Sequence, residues 1–244
     1  MLRKIALFSI FSLAITVTVC SADITLKELI DKVQSNQLKI NDMYAESTTK
    51  IVSNLQLGSE KGKTQSMTQK GKMWTKGKDK SKIEMLSPSR QVTITNGDKM
   101  AIINSETGQK MVQDLKKMRE KSGQPDTGGM TLEKATKYFD MSVSPAGEGQ
   151  YVLTGIPKEK NQFLGKMEFY IDSKRWVPIK VLMYDPKDRL MNQSEIEYKE
   201  VSGIWVPYKN HSSVNTPAGK MDVEMELSNI KVNQGINDKE FAVE

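Results

Sequence analysis

The chain has 244 residues, of which 37% are hydrophobic, so one domain of this length can bury a sizeable core. Its formal net charge is only +6, and its lysines are scattered over polar strand positions. This argues against a nucleic-acid-binding protein and agrees with the solvated surface of a β-sheet.

Residues 1–22 have the pattern of a secretion signal. Two basic residues precede an apolar run from Ile5 to Val19, which is too short and wrongly flanked for a stable membrane span. Small residues at the end of the segment predict cleavage between Ala22 and Asp23. We therefore expect a mature periplasmic chain with no membrane span.

The only cysteine, Cys20, lies inside this signal. Cleavage after Ala22 removes it, so the mature chain would have no disulfide, no thiol nucleophile and no cysteine metal site. The alternative is that Cys20 becomes a lipid-modified N-terminus. Val19 fits that alternative poorly, because lipoprotein signals prefer a small residue at that position.

A helix is predicted from Thr25 to Ile40. Thr25 can cap it, and Glu28 stands three residues later as the partner of a capping box. Its apolar stripe consists of Leu26, Leu29, Ile30, Val33 and Leu38. Such a stripe needs a sheet to lie on.

After this helix the hydrophobic period changes to two, which is typical of strands with one buried face. Asn96-Gly97 and Ser202-Gly203 are strong hairpin signals. The predicted strands include 44–57, 64–76, 80–86, 91–95, 100–104, 109–115, 150–156, 165–171, 177–184, a strand around Ile196 and Tyr198, one from Ile204, and 220–232.

Only one further helix is predicted, from Thr131 to Phe139, and it follows a charged loop at 116–127. A hairpin-linked sheet of ten or more strands must curl or close. We therefore predict a mainly β (α+β) fold with a single domain at 23–244. In that fold, a curved antiparallel sheet wraps around the helices.

The usual catalytic motifs are absent from the sequence. There is no G-x-S-x-G, no H-E-x-x-H and no cysteine–histidine cluster, and the single histidine, His211, stands among polar strand residues. Methionine is abundant instead, with 15 residues, many of them on the alternating apolar faces. These methionines are either ordinary core residues or the lining of a wide apolar concavity that accepts flexible chains.

Three late segments and two earlier ones resemble the LolA-like outer-membrane lipoprotein-sorting proteins. The late segments are W-V-P-I-K-V-L-M-Y-D-P-K-D-R-L (176–190), Y-K-E-V-S-G-I-W-V-P (198–207) and M-E-L-S-N-I-K-V-N-Q-G-I-N-D-K-E-F (225–241). The earlier, looser ones are S-P-S-R (87–90) and T-N-G-D-K-M-A-I-I-N-S-E-T-G-Q-K (95–110).

This resemblance implies an unclosed β-barrel, with helices as a lid over the concave face. It also implies a non-enzymatic carrier of lipoprotein acyl chains without a cofactor or metal. Its partners would be an inner-membrane transporter or an RND-type exporter and an outer-membrane acceptor. One feature departs from the family. Its best-known carrier holds the lid with an arginine in its early strands, whereas the only basic residues between Tyr44 and Lys82 are lysines.

We expect the residues that share the alternating apolar phase to line the cavity. They are Met67, Met73, Ile83, Met85, Val92, Ile94, Met167, Phe169, Val181, Met183, Met221, Val223 and Met225. Release of a tightly held acyl chain calls for a lid, and Gly123, Gly128 and Gly129 are its predicted hinge.

Three functions remain open at this stage. The first is a periplasmic carrier or chaperone for lipoproteins or lipids. The second is an envelope sensor or scaffold, associated with an exporter, that binds a lipid or a partner protein. The third is a secreted hydrolase with a carboxylate site. The hydrolase requires acidic residues on the concave face, whereas the alternation puts them outside.

Overall fold

The structure, a computed structural model, describes residues 24–55, 64–122, 132–147, 149–160, 162–216 and 218–243. Its helices are α1 (Leu26–Gln37), α2 (Leu115–Ser122) and α3 (Leu132–Tyr138), and a 3₁₀ helix spans Asp238–Phe241. The strands are β1 (Asp42–Leu55), β2 (Gln65–Lys76), β3 (Lys80–Ser87), β4 (Gln91–Asn96), β5 (Lys99–Asn104), β6 (Lys110–Asp114), β7 (Phe139–Pro145), β8 (Gln150–Pro157), β9 (Lys166–Asp172), β10 (Val177–Tyr184), β11 (Leu190–Val201), β12 (Ile204–Thr216) and β13 (Gly219–Val232).

These thirteen strands form one antiparallel sheet in the order β6-β5-β4-β3-β2-β1-β13-β12-β11-β10-β9-β8-β7. Strands β1 to β6 lie side by side in sequence order, as do β7 to β13, and the pairing of β1 with β13 joins these two halves of the sheet. Among the described strands, β6 and β7 are the two edges and do not pair with each other. The predicted mainly β fold with an unclosed sheet is therefore confirmed.

Helix α1 begins where the sequence predicts. The side chain of Thr25 accepts a hydrogen bond from the backbone N–H of Glu28 (3.2 Å), and the Thr25 N–H donates to the Glu28 carboxylate (2.9 Å). This reciprocal capping satisfies N–H groups that the first turn would leave without partners. The helix ends at Gln37, three residues earlier than predicted, and Leu38 is the C-cap.

The hairpin signals also act as expected. Val201 pairs with Ile204, so Ser202 and Gly203 form a two-residue turn, with φ of 52° and 75° respectively. A turn with two positive φ values has the twist that adjacent antiparallel strands need. Glycine adopts this conformation without the steric penalty that other residues carry.

Two elements differ from the prediction. The charged stretch expected to be a loop is helical as far as Ser122. Strand β7 was not predicted at all, although Phe139, Met141 and Val143 alternate along it. Short elements are hard to assign from sequence because few residues carry the period. The predicted secretion signal lies outside the described residues, as do the three predicted hinge glycines.

The main core lies between α1 and the β7–β10 part of the sheet. Leu29 and Val33 of α1 are buried together with Tyr151, Leu153 and Ile171. Trp176 reinforces this contact, since its ring stacks on Tyr151 with centroids 6.0 Å apart. The apolar stripe of the helix therefore packs on the sheet as predicted except for Leu38, which lies beyond the helix as its C-cap and is 62% exposed.

The C-terminal segment covers part of the opposite face. Phe241 is 0% exposed, and its carbonyl accepts a hydrogen bond from the amide of Asn96 (3.2 Å). Lys82 donates to Glu240 (2.7 Å), which places the 3₁₀ helix over β3 and β4. This segment seals a small second core on that side.

Candidate functional site

The two faces of the sheet can be assigned from the position of α1. We call the face on which α1 lies the inner face and its opposite the outer face. Residues paired directly across antiparallel strands point to the same side, so the pairing registers carry this assignment across the whole sheet. Phe169, which packs against the α1 core, opposes Leu153 and Val181 and fixes the inner face for β8 to β10.

Eleven of the thirteen predicted lining residues share the inner face. The registers link them from Met167 opposite Met183 through to Met67 opposite Ile51. They are Met67, Met73, Ile83, Met85, Met167, Phe169, Val181, Met183, Met221, Val223 and Met225. Sequence alternation therefore brings together residues from five strands on one surface.

Val92 and Ile94 lie on the outer face instead. Ile94 opposes Lys82 and Val92 opposes Glu84, whereas the inner residue Ile83 opposes Thr93. Ile94 is only 7% exposed because the C-terminal segment lies over β3 and β4 on that side. These two residues belong to the small outer core, and we do not include them in the candidate site.

The inner face carries no charge along its central strands. The inner positions from Ser47 to Ser53, Gln65 to Met73, Asn192 to Ile196, Asn210 to Val214 and Met221 to Leu227 are all apolar or neutral polar. The intervening outer positions hold the charged residues of the same strands, including Lys50, Glu224 and Glu195. A face of this length without charge is suited to an apolar ligand.

This surface is not a filled core. Met67 is 41% exposed and Ile83 is 49% exposed, and the other nine lining residues are half-buried. By contrast, Leu29 in the α1 core is 0% exposed. The inner face away from α1 therefore offers apolar surface that the described part of the chain leaves accessible.

A cavity of about 290 Å³ lies at the C-terminal end of α1. Asn36 fixes the helix there, since its amide donates to the Trp205 carbonyl (2.9 Å) and accepts from the Trp205 N–H (3.3 Å). Tyr198 lines the cavity, and burial raises its pKa to about 12, against an opposing effect of the Arg175 charge. The phenol stays neutral at physiological pH, in keeping with the uncharged face.

The chain crosses from one edge of the sheet to the other between β6 and β7. Helix α2 follows β6, and α3 precedes β7 and contacts both β7 and α1. The predicted hinge glycines Gly123, Gly128 and Gly129 fall within this connection, outside the described residues. The lid and its hinge therefore stay predictions from the sequence.

Apolar alternation along single strands identifies only part of the inner face. Met141, Val143, Tyr151 and Leu153 are inner residues that pack against α1, and the unpredicted strand β7 supplies two of them. It also misses the neutral polar residues of β11 and β12, since apolar alternation gives no signal for them. Absence of charge at alternate positions of a strand is the sequence signal that both groups share.

The described residues contain no cluster of three or more histidine, cysteine or acidic side chains that could hold a metal ion. His211 is exposed and lies opposite Glu224 and Glu195, on the outer face. No described helix is long and apolar enough to cross a membrane.

Comparison with known structures gives matches that cover nearly the whole chain. A DUF1329 family protein from Desulfovibrio piger is 16% identical, with a TM-score of 0.61 over 90% of this chain and 98% of that one. A LolA superfamily protein from Nitrosomonas europaea is 14% identical, with a TM-score of 0.59 over 90% and 98% of the two chains. A structure described as an outer membrane lipoprotein-sorting protein domain from Vibrio parahaemolyticus is 17% identical, with a TM-score of 0.56 over 87% and 95%.

At these identities the likeness establishes the fold. The resemblance to LolA-like proteins inferred from sequence motifs is confirmed at that level. One family model, described as an uncharacterized protein, matches residues 126–244. No curated protein sequence matches the chain.

Proposed function

We propose that this protein is a periplasmic carrier or chaperone that binds the acyl chains of lipoproteins or lipids on its inner face. The observation that carries the proposal is the inner face itself, which is uncharged, rich in methionine and only partly covered. The fold shared with a LolA superfamily protein and a lipoprotein-sorting domain supports it.

Burial of the acyl chain supplies the binding energy. Each buried methylene contributes ~0.8 kcal/mol, so a chain of about sixteen carbons gains roughly 12 kcal/mol before the cost of ordering. Methionine suits this task because its unbranched, polarizable side chain adapts to irregular shapes. Capture therefore needs no reactive group, and release is the difficult step.

Release requires the cover over the inner face to move. In this proposal the connection between β6 and β7 is the lid, and Gly123, Gly128 and Gly129 form its hinge. Replacing Gly128 and Gly129 with proline would restrict the hinge backbone. We expect slower transfer of a fluorescent fatty acid from this variant to lipid vesicles, and an unchanged transfer rate would remove the hinge from the proposal.

The route of the cargo follows from the same proposal. The leader at 1–22 would direct the chain to the periplasm, or anchor it there if Cys20 is lipidated. An inner-membrane transporter or an RND-type exporter would load the carrier, and an outer-membrane acceptor would receive the cargo. The mature chain would pass between them without spanning a membrane.

A matched pair of aspartate substitutions tests the proposed site. Met67 on the inner face and Val52 on the outer face are similarly exposed, at 41% and 39%, and stand on adjacent strands. We expect Met67→Asp to weaken binding of a fluorescent fatty acid at least tenfold, because it places a charge against the alkyl chain. Val52→Asp should leave binding unchanged, and equal effects of the two variants would contradict the assignment.

A further inference from the structure

A chain of neutral polar side chains crosses β11 and β12 on the inner face. The hydroxyl oxygens of Ser194 and Ser212 lie 2.7 Å apart. The Ser194 hydroxyl donates to Asn192 Oδ1 (3.5 Å), and Asn210 Nδ2 donates to the Ser212 hydroxyl (3.3 Å). Since the Ser194 proton is used in this way, the Ser212 hydroxyl donates to Ser194. Each hydrogen bond in this polar chain is therefore donated in the direction away from Asn210.

At its Asn210 end, this polar chain leaves an acceptor that receives no hydrogen bond. Asn210 Oδ1 is buried and has no hydrogen-bond partner, a condition it shares among the described side chains only with Gln34 Nε2 of α1. Turning the Asn210 amide over would leave its nitrogen without a partner instead. Buried polar atoms are nearly always paired, because leaving one unpaired is unfavourable.

The surroundings restrict what can satisfy this atom. Asn210 lies opposite Ile196 on β11 and Met225 on β13, and the inner positions around it carry no charge. Met225 is one of the predicted lining residues, and its flexible side chain can move aside for a ligand. A neutral donor that arrives with an apolar chain fits these surroundings, whereas a cation or an anion does not.

We propose that this polar chain is the subsite for the head of the acyl cargo. In it, Asn210 Oδ1 accepts a hydrogen bond from a neutral N–H or O–H group next to the alkyl chain, as an N-acyl amide provides. The inference rests on the proposed carrier function and adds a selectivity to it. The site distinguishes donor-bearing acyl compounds from esters and plain hydrocarbons.

Two probes that differ only by an N–H group in place of an oxygen test the selectivity for a hydrogen-bond donor. N-ethyl lauramide carries an N–H where ethyl laurate carries an oxygen, and each would compete with a fluorescent fatty acid for the purified protein. Loss of one hydrogen bond corresponds to about threefold to tenfold in affinity. We expect Asn210→Leu to reduce the affinity ratio of amide to ester by that factor compared with the native chain. Comparing ratios between proteins cancels the different hydration of the two probes.

Gln193→Leu is the matched control, since it replaces an amide with the same alkyl group on the outer face of β11. It should leave the ratio unchanged. If Asn210→Leu does not fold, Asn210→Val tests the same point with a residue that strands favour.

The outcomes separate this inference from the carrier function. If both probes bind and the ratio is the same in the native chain and in the folded Asn210 variant, the subsite is overturned while the carrier proposal stands. If neither the fluorescent fatty acid nor either probe binds the native chain, both proposals are overturned. A ratio that falls in the Asn210 variant and not in Gln193→Leu supports the subsite.

Discussion

The Nζ atom of Lys82 lies 2.7 Å from Oε2 of Glu240, and this ion pair joins strand β3 to the C-terminal 3₁₀ helix. Lys82 also opposes Ile94, so the pair marks the place where the outer face is closed. Phe241, the next residue along, is fully buried there. The C-terminal segment is thus part of the outer core and is remote from the inner face.

Burial of Phe241 should contribute more than the Lys82–Glu240 ion pair to holding the C-terminal segment on the sheet. Glu240→Gln breaks a partly exposed ion pair and should cost at most about 1 kcal/mol of unfolding free energy. Phe241→Ala empties a fully buried site and should cost about 3–5 kcal/mol. Urea unfolding of both variants checks the comparison, and a larger loss in Glu240→Gln would show that the ion pair dominates.

Ile94 and Met183 should separate stability from binding. Ile94→Ala should reduce the free energy of unfolding by about 2–5 kcal/mol, because it leaves a cavity in the outer core. It should not change the affinity of the folded protein for a fluorescent fatty acid. Met183→Asp, on the inner face, should abolish that affinity. Weakened binding in folded Ile94→Ala would return Ile94 to the cavity lining.

Asp42 should be a structural carboxylate that ties the start of β1 to the segment that follows β13. It is buried and accepts hydrogen bonds from the backbone N–H groups of Gln234 (2.8 Å), Gly235 (2.9 Å) and Ile236 (3.3 Å). Asn has one acceptor oxygen in place of two, so Asp42→Asn should cost about 1–3 kcal/mol of unfolding free energy. Asp31→Asn, in an exposed helical ion pair, is the control and should cost about 0.5 kcal/mol or less. Equal losses would contradict this role.

Tyr198 should give the protein a specific alkaline sensitivity. Burial raises its pKa to about 12, above the value of about 10 for an exposed tyrosine. Because the folded state holds this proton more tightly, the stabilisation is complete below about pH 10 and is lost as the pH rises through the folded-state pKa. Unfolding free energies measured between neutral pH and about pH 12 should fall less steeply in Tyr198→Phe than in the native chain. An identical slope would show that Tyr198 titrates normally.

Alternation within a strand predicts which residues share one side, and this accounts for much of the inner face. It does not predict which side of each strand faces inward. Val92 and Ile94 alternate as regularly as Met183 does, yet their apolar side faces the C-terminal segment. Which side of a strand is buried depends on what covers it, and here the cover is a segment more than 140 residues away in sequence, as in the Asn96–Phe241 hydrogen bond. The sequence around Val92 and Ile94 therefore cannot predict that contact.

The grouping of the polar chain through Asn210 could not be predicted for a related reason, although the absence of charge in one phase of β11 and β12 marks its members. Neutral polar residues occur on solvated faces as often as on lining ones, so only the strand register shows that Asn192, Ser194, Ser212 and Asn210 share a surface. The capping box of α1 and the Ser202-Gly203 turn were predictable because their chemistry is local.

The central claim is that the inner face holds acyl chains, and native mass spectrometry of the protein purified gently from its own cells tests it most directly. The account predicts co-purifying acylated molecules in the native chain and in Val52→Asp, and their loss in the double variant Met183→Asp, Met225→Asp. Lipid extraction in parallel would identify the cargo class. A native chain free of acylated molecules, with a partner protein bound in their place, would contradict the carrier function and favour an envelope sensor or scaffold.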